Sequence, residues 1–187
     1  TLESAVAYAQ AHDVLVVAAA GNQGSDVSFY PASLPYVIAV GGTNQNDARW
    51  ARSNYGDFID VVAPAVDIYS AYYDNSTRSS IYAYMSGTSM STAFVSGLAA
   101  LTFSRRPNAT GAEVLDLITA GAVDLGAPGK DPQSGYGRID AYNTLLAAND
   151  GVVPVIDSPL RPGVGYGYDG FNQQLTDMLY LPIIALH

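Results

Sequence analysis

Val14-Leu15-Val16-Val17-Ala18-Ala19-Ala20 runs directly into Gly21-Asn22, and its reading decides the fold class. Seven apolar residues follow one another without a polar break. A run of that length, rich in β-branched residues, predicts a strand buried on both faces. Such strands belong to parallel sheets covered by helices, so the chain reads as α/β. Val37 to Val40 and Ile59 to Val62 repeat the pattern. Ahead of the first run, Leu2, Ala5, Val6 and Ala9 recur at helical spacing. Gly21 to Pro35 is a long polar loop. Ile68 to Ala71 and Ile81 to Met85 are short strands around the turn-like Asp74-Asn75-Ser76. Ser89 to Arg105 reads as a helix of small residues that carries no charge before Arg105. That predicts a path through the domain centre, ended by Pro107. Thr110 to Ala120 is an amphipathic helix with Thr110 as N-cap and Glu113 at the capping-box position. Asp140 to Ala148 is the last helix.

Composition bounds the partners. At 187 residues with 49% hydrophobic content, one domain with a large core is expected. A net charge of −9 argues against nucleic acid and against anionic membranes. No run of about 18 apolar residues predicts a membrane span. With no cysteine, disulfides, thiolate metal sites and a thiol nucleophile are excluded.

The chemistry sits in Ser86-Gly87-Thr88-Ser89-Met90-Ser91 and in Ala20-Gly21-Asn22. The first puts a serine hydroxyl at the start of a helix, where small neighbours leave it uncovered. Free backbone N–H groups and the helix dipole favour negative charge there. The second ends a strand on a glycine and a side-chain amide. Read blandly, Ser89 is a helix cap and Asn22 a turn residue. Read together, they supply a nucleophile and donors for an oxyanion.

These two segments resemble the subtilisin-like serine proteases, the proteinase K branch in particular. Tyr30-Pro31-Ala32-Ser33, Ser53-Asn54-Tyr55-Gly56, Ala63-Pro64 and Gly135-Tyr136-Gly137-Arg138-Ile139-Asp140-Ala141 extend the likeness in order, from about Leu2 to about Ala148. The resemblance implies a three-layer fold around a mostly parallel central sheet. It implies Ser89 as nucleophile, and Asn22 with the Ser89 N–H as oxyanion donors. It also implies a secreted endopeptidase acting on peptides or proteins. Ala18, Ala19, Ala20 and Gly21, with the loop around Phe29, match walls of the primary specificity pocket. Their small side chains leave room for a large apolar residue, and Phe29 narrows it. Asp60 with the carbonyls of Pro35 and Val37 matches a calcium site; otherwise Asp60 caps loop amides.

The departures are as informative. The triad needs a histidine base and an aspartate, and the family places both before the oxyanion asparagine. Of the two histidines, His12 falls at a surface helix end and His187 is the last residue; neither matches the base. Ala93 and Phe94 stand where the family usually has proline and then histidine. The chain therefore reads as the C-terminal portion of a peptidase domain (residues 1–150), inactive without an N-terminal half carrying the Asp and His. Residues 151–187 follow as a Gly/Pro/Tyr-rich tail, either packed on the domain or linking to a further module. Two alternatives stay open: a non-catalytic binding fold, and a variant that transfers the acyl group to an amine to close a macrocycle.

Overall fold

The computed structural model describes residues 1–150; the expected tail, 151–187, lies outside them. Three strands form a parallel sheet: β1 (Val16–Ala19), β2 (Val37–Thr43) and β3 (Val61–Pro64), in the order β1-β2-β3. Val16 aligns with Val37, and Val40 with Val61. Every residue of β2 is buried. Its side chains alternate between two cores, as a period of two requires. Ile38 and Val40 join Val61, Val95, Leu98, Val114 and Ile118 on one face. Val37 and Ala39 join Val6, Ala18 and Ala32 on the other. The first face is covered by α2 (Thr88–Arg105) and α3 (Gly111–Gly121), the second by α1 (Leu2–Gln10). Helices on both faces of a parallel sheet make the expected three layers.

The strands differ from the sequence reading at their ends. β2 continues through Gly41-Gly42-Thr43 because Gly42 passes under the start of α2. A Cβ on Gly42 would lie 2.5 Å from the Ala65 Cβ and 3.4 Å from Ser91 Oγ. Ile59 and Asp60, expected inside a strand, precede β3. There the Asp60 N–H still bonds the Ala39 carbonyl (3.0 Å), while its side chain takes the Ala39 N–H.

α2 buries Thr88, Ser91, Val95, Leu98, Ala99 and Thr102, so its polar members need partners. Ser91 Oγ donates to the carbonyls of Ala63 (3.0 Å) and Pro64 (3.1 Å) at the end of β3. Thr102 Oγ1 donates back to Leu98. α3 begins with the expected capping box: Thr110 Oγ1 accepts the Glu113 N–H, and Glu113 accepts the Thr110 N–H. Those bonds from Thr110 hold the Glu113 carboxyl below its ordinary value. α4 (Ala141–Asp150) crosses α3 where a side chain on Gly121 would strike Thr144. Apart from the layers, β4 (Ile68–Asp74) and β5 (Ser79–Met85) form an antiparallel hairpin that runs straight into α2. Among the described residues no helix is long and apolar enough to cross a membrane.

Candidate active site

Two junctions meet at the site. One is the exit from β1, the other the entry to α2. The Ala20 N–H still bonds the Val40 carbonyl (2.9 Å), and then the chain turns at Gly21. Gly21 adopts φ +105, a left-handed value that disfavours any side chain. A Cβ there would also fall 2.5 Å from Asn54 Nδ2. Only glycine fits, and it delivers Asn22 to the start of α2.

Asn22 is held by its oxygen. Oδ1 accepts the Thr88 N–H (2.9 Å) and the Thr88 hydroxyl (3.0 Å). Since a backbone N–H can only donate, the oxygen assignment follows and Nδ2 is the outward donor. That nitrogen has no acceptor among the described residues. It lies beside Gly87, 3.6 Å from where a Cβ would stand. Thr88 is itself fully buried, and its hydroxyl accepts the Gly21 N–H (3.3 Å). One threonine thus ties the β1 exit to the helix start.

Ser89 follows Thr88 in the first turn of α2 and is exposed. N–H groups of a first helical turn have no intrahelical acceptor, so the Ser89 N–H is available. A hydroxyl, a backbone N–H and a fixed side-chain N–H therefore stand at one helix N-terminus. This set can attack a carbonyl and hold the oxygen that becomes charged.

A second asparagine braces the loop. Asn54 is buried; its Oδ1 accepts N–H groups from Gln23 (2.9 Å) and Ser25 (3.3 Å), and its own N–H bonds the Gly21 carbonyl (3.0 Å). Thr88 and Asn54 are not legible in the sequence as positioning residues. Their partners lie 66 and 31 positions away, and only folding brings them together.

The other expected residues are placed as follows. The methyls of Ala18 and Ala20 point into the cores and Gly21 is buried, leaving half-buried Ala19 as the more open residue of that segment. Phe29 is 38% exposed, and its loop is closed by Ser33, whose hydroxyl accepts the Phe29 N–H (2.9 Å) and donates to the Phe29 carbonyl (3.1 Å). His12 belongs to the end of α1, where Nδ1 bonds the Tyr8 carbonyl (2.8 Å) and the ring lies on Tyr8. His187 is outside the described residues. Asp60, Pro35 and Val37 line one cleft of about 740 Å³, and Lys130 lines it with them. The Lys130 ammonium is 3.2 Å from Asp60 Oδ1.

Comparison with known proteins gives the family. The chain is 47% identical over 145 residues to the thermophilic serine proteinase of Bacillus sp. (strain AK1), covering 78% of this chain and 34% of that one. It is 41% identical over 127 residues to subtilisin BL of Lederbergia lenta, covering 68% and 45%. The crystal structure of a lanthipeptide protease superposes with a TM-score of 0.72 at 27% identity, covering 79% and 55%. The chain thus spans less than half the length of these two curated relatives. Residues 1–137 match the Subtilase family (Peptidase_S8), and the chain belongs to that family.

Proposed function

We propose that this chain supplies the nucleophile and the oxyanion hole of a secreted serine endopeptidase acting on peptides or proteins. The carrying observation is the locked amide of Asn22, whose oxygen is spent on Thr88 so that its nitrogen is left as a donor beside Gly87, two residues before Ser89. In this reading Ser89 Oγ attacks the scissile carbonyl and forms an acyl-enzyme, which water then hydrolyses. Asn22 Nδ2 and the Ser89 N–H stabilise the developing oxyanion, each donor contributing about 3–4 kcal/mol. The proton of Ser89 leaves to a histidine, oriented by an aspartate, on another segment of the protease domain. No described side chain in this chain takes that part, because His12 is committed to its own helix. Without the base the serine stays a protonated, weak nucleophile, and residues 1–187 alone are inactive.

The test uses the full-length protein that carries this chain. A phosphonylating serine probe is expected to label it, and Ser89→Ala to abolish labelling and lower turnover by several orders of magnitude with folding intact. Asn22→Ala is expected to lower kcat by about 10²–10³ with little change in KM. Labelling that survives in Ser89→Ala overturns the assignment. An intact fold that takes no label in the unmodified protein points instead to the non-catalytic binding reading.

A further inference from the structure

Asp60 is expected to share a calcium ion with the carbonyls of Pro35 and Val37, yet its carboxylate is already engaged at both oxygens. Oδ2 accepts the Ala39 N–H (2.9 Å) and Oδ1 meets the Lys130 ammonium (3.2 Å). We propose that Lys130 is the resident cation of this site: its ammonium stands where a metal ion would, and calcium has no place at Asp60 in this chain.

The lysine is not a passing surface charge. Its loop is fastened to the backbone of Asp60 itself. The Tyr136 N–H bonds the Asp60 carbonyl (2.7 Å), and Gly135 passes so close that a Cβ would lie 2.3 Å from that same oxygen. Gly135 adopts φ +62, so two constraints require glycine at this position. Asp131 and Gly135 exchange both backbone hydrogen bonds, at 2.9 and 2.8 Å. The Asp131 carboxylate accepts the N–H groups of Gln133 (2.7 Å) and Ser134 (3.0 Å) and the Ser134 hydroxyl (3.0 Å). The loop thus has a fixed shape beside Lys130. The ring of Tyr136 lies 5.4 Å from the ammonium, within cation–π range. Lys130 and Asp60 keep only 34% and 21% of their side-chain surface exposed, so water screens the pair incompletely.

The donor chemistry favours the ammonium over calcium. Calcium takes six to eight oxygen ligands, and its affinity follows the number of ligand charges. Asp60 is the one carboxylate among the expected ligands, and Lys130 neutralises it. A divalent ion entering the cleft would lose that charge and face the ammonium as well. A tethered cation also needs no ion from solution, so this corner holds its charge pair at any calcium level.

The experiment measures bound calcium and thermal unfolding in the full-length protein, in a Ser89→Ala background to prevent self-digestion. Calcium sites elsewhere cancel when variants are compared. Asp60→Asn is expected to leave both the calcium stoichiometry and the calcium-dependent part of Tm unchanged. Lys130→Ala is expected to uncover the site and bind one more calcium per chain. Its Tm should then rise further on calcium addition, by roughly 5–10 °C at calcium a hundredfold above the dissociation constant. Lys130→Arg, which keeps a cation, should show no such gain. Loss of a bound calcium in Asp60→Asn alone means that calcium displaces the lysine, and overturns the proposal. A folded Lys130→Ala that binds no additional calcium overturns it too. Where Lys130→Ala does not fold, the Asp60→Asn stoichiometry still decides.

Discussion

The parallel sheet and the β4–β5 hairpin both end at the candidate active site, and they could hardly be built more differently. In β2 all seven residues are buried, whereas in the hairpin none is. The sheet is fixed from both faces by two cores. The hairpin carries Tyr69, Tyr73, Tyr82 and Tyr84 on one exposed face, where Tyr69 stacks against Tyr82 (5.5 Å between ring centroids) and leans on Tyr84 (4.8 Å). Cross-strand aromatic pairs contribute about 0.2–1 kcal/mol, and a lone two-stranded hairpin is marginal in water. The Asn22 amide thus hangs from the stiff element, and Ser89 follows closely on the soft one. Thr88 joins them, which keeps Ser89 registered to Asn22 although the hairpin before it has little core of its own.

The comparison breaks first if the sheet proves soft. Ile38 is 1% exposed and central to the larger core. Ile38→Ala in the full-length protein should cost about 2–5 kcal/mol, read as a lower urea midpoint. A loss under about 1 kcal/mol would mean that the parallel sheet is not the anchor. The Thr88 tie gives a smaller effect. Thr88→Val keeps the shape and removes a hydroxyl that receives the Gly21 N–H and donates to Asn22. One hydrogen bond is worth about 0.5–1.5 kcal/mol, so kcat should fall up to about tenfold with KM unchanged. Because Asn22 Oδ1 still accepts the Thr88 N–H, the fall should stay well short of that for Asn22→Ala. An equal fall in both variants would make the hydroxyl, not the backbone, the effective clamp.

Much of the frame is legible because local rules and burial agree there. The apolar runs that contain Val17, Ile38 and Val61 form β1, β2 and β3; β2 and β3 are buried as two-sided strands, whereas β1 starts only at Val16, with Val16, Val17 and Ala19 half-buried and Val14 exposed. Thr110 and Glu113 mark the start of α3 to the residue. The motif at Ser89 marks the entry to α2. Strand ends are less legible, since β2 extends to Thr43 on the strength of a helix crossing at Gly42 that no neighbour in sequence announces. The hairpin is longer than its apolar runs for a similar reason. Tyr72, Tyr73, Ser79 and Ser80 pair across the turn, but their exposure leaves no hydrophobic period to mark them. Lys130 carries no local signal at all: its meaning comes from Asp60, 70 residues earlier.

The smallest effect expected is confined to the hairpin tip and depends on pH. Asp74 closes the turn by accepting the Ser76 hydroxyl (2.7 Å), the Thr77 hydroxyl (2.8 Å) and the Ser76 N–H (2.8 Å). These bonds, the Ser76 hydroxyl first among them, favour the charged form and pull the carboxyl from 3.8 down to about 2. A depressed carboxylate stabilises the fold above its unfolded value and loses that contribution as pH falls through the folded one. Protection of the hairpin amides should therefore hold at neutral pH and fade between pH about 4 and about 2. Asp74 sits at the hairpin tip and is only half-buried, so water screens it and the change stays local and small. Asp131 and Glu113 are depressed as well, and acid weakens the whole domain through them. Asp74→Asn separates the two contributions, because it removes the charge at the turn and leaves the others. Hydrogen exchange followed by NMR should show hairpin amides in Asp74→Asn changing with acid only as much as the amides of β2. In the unmodified chain the hairpin should lose protection beyond that shared loss. Identical acid profiles for the two proteins would mean that the tyrosine face, not the turn, holds the strands together.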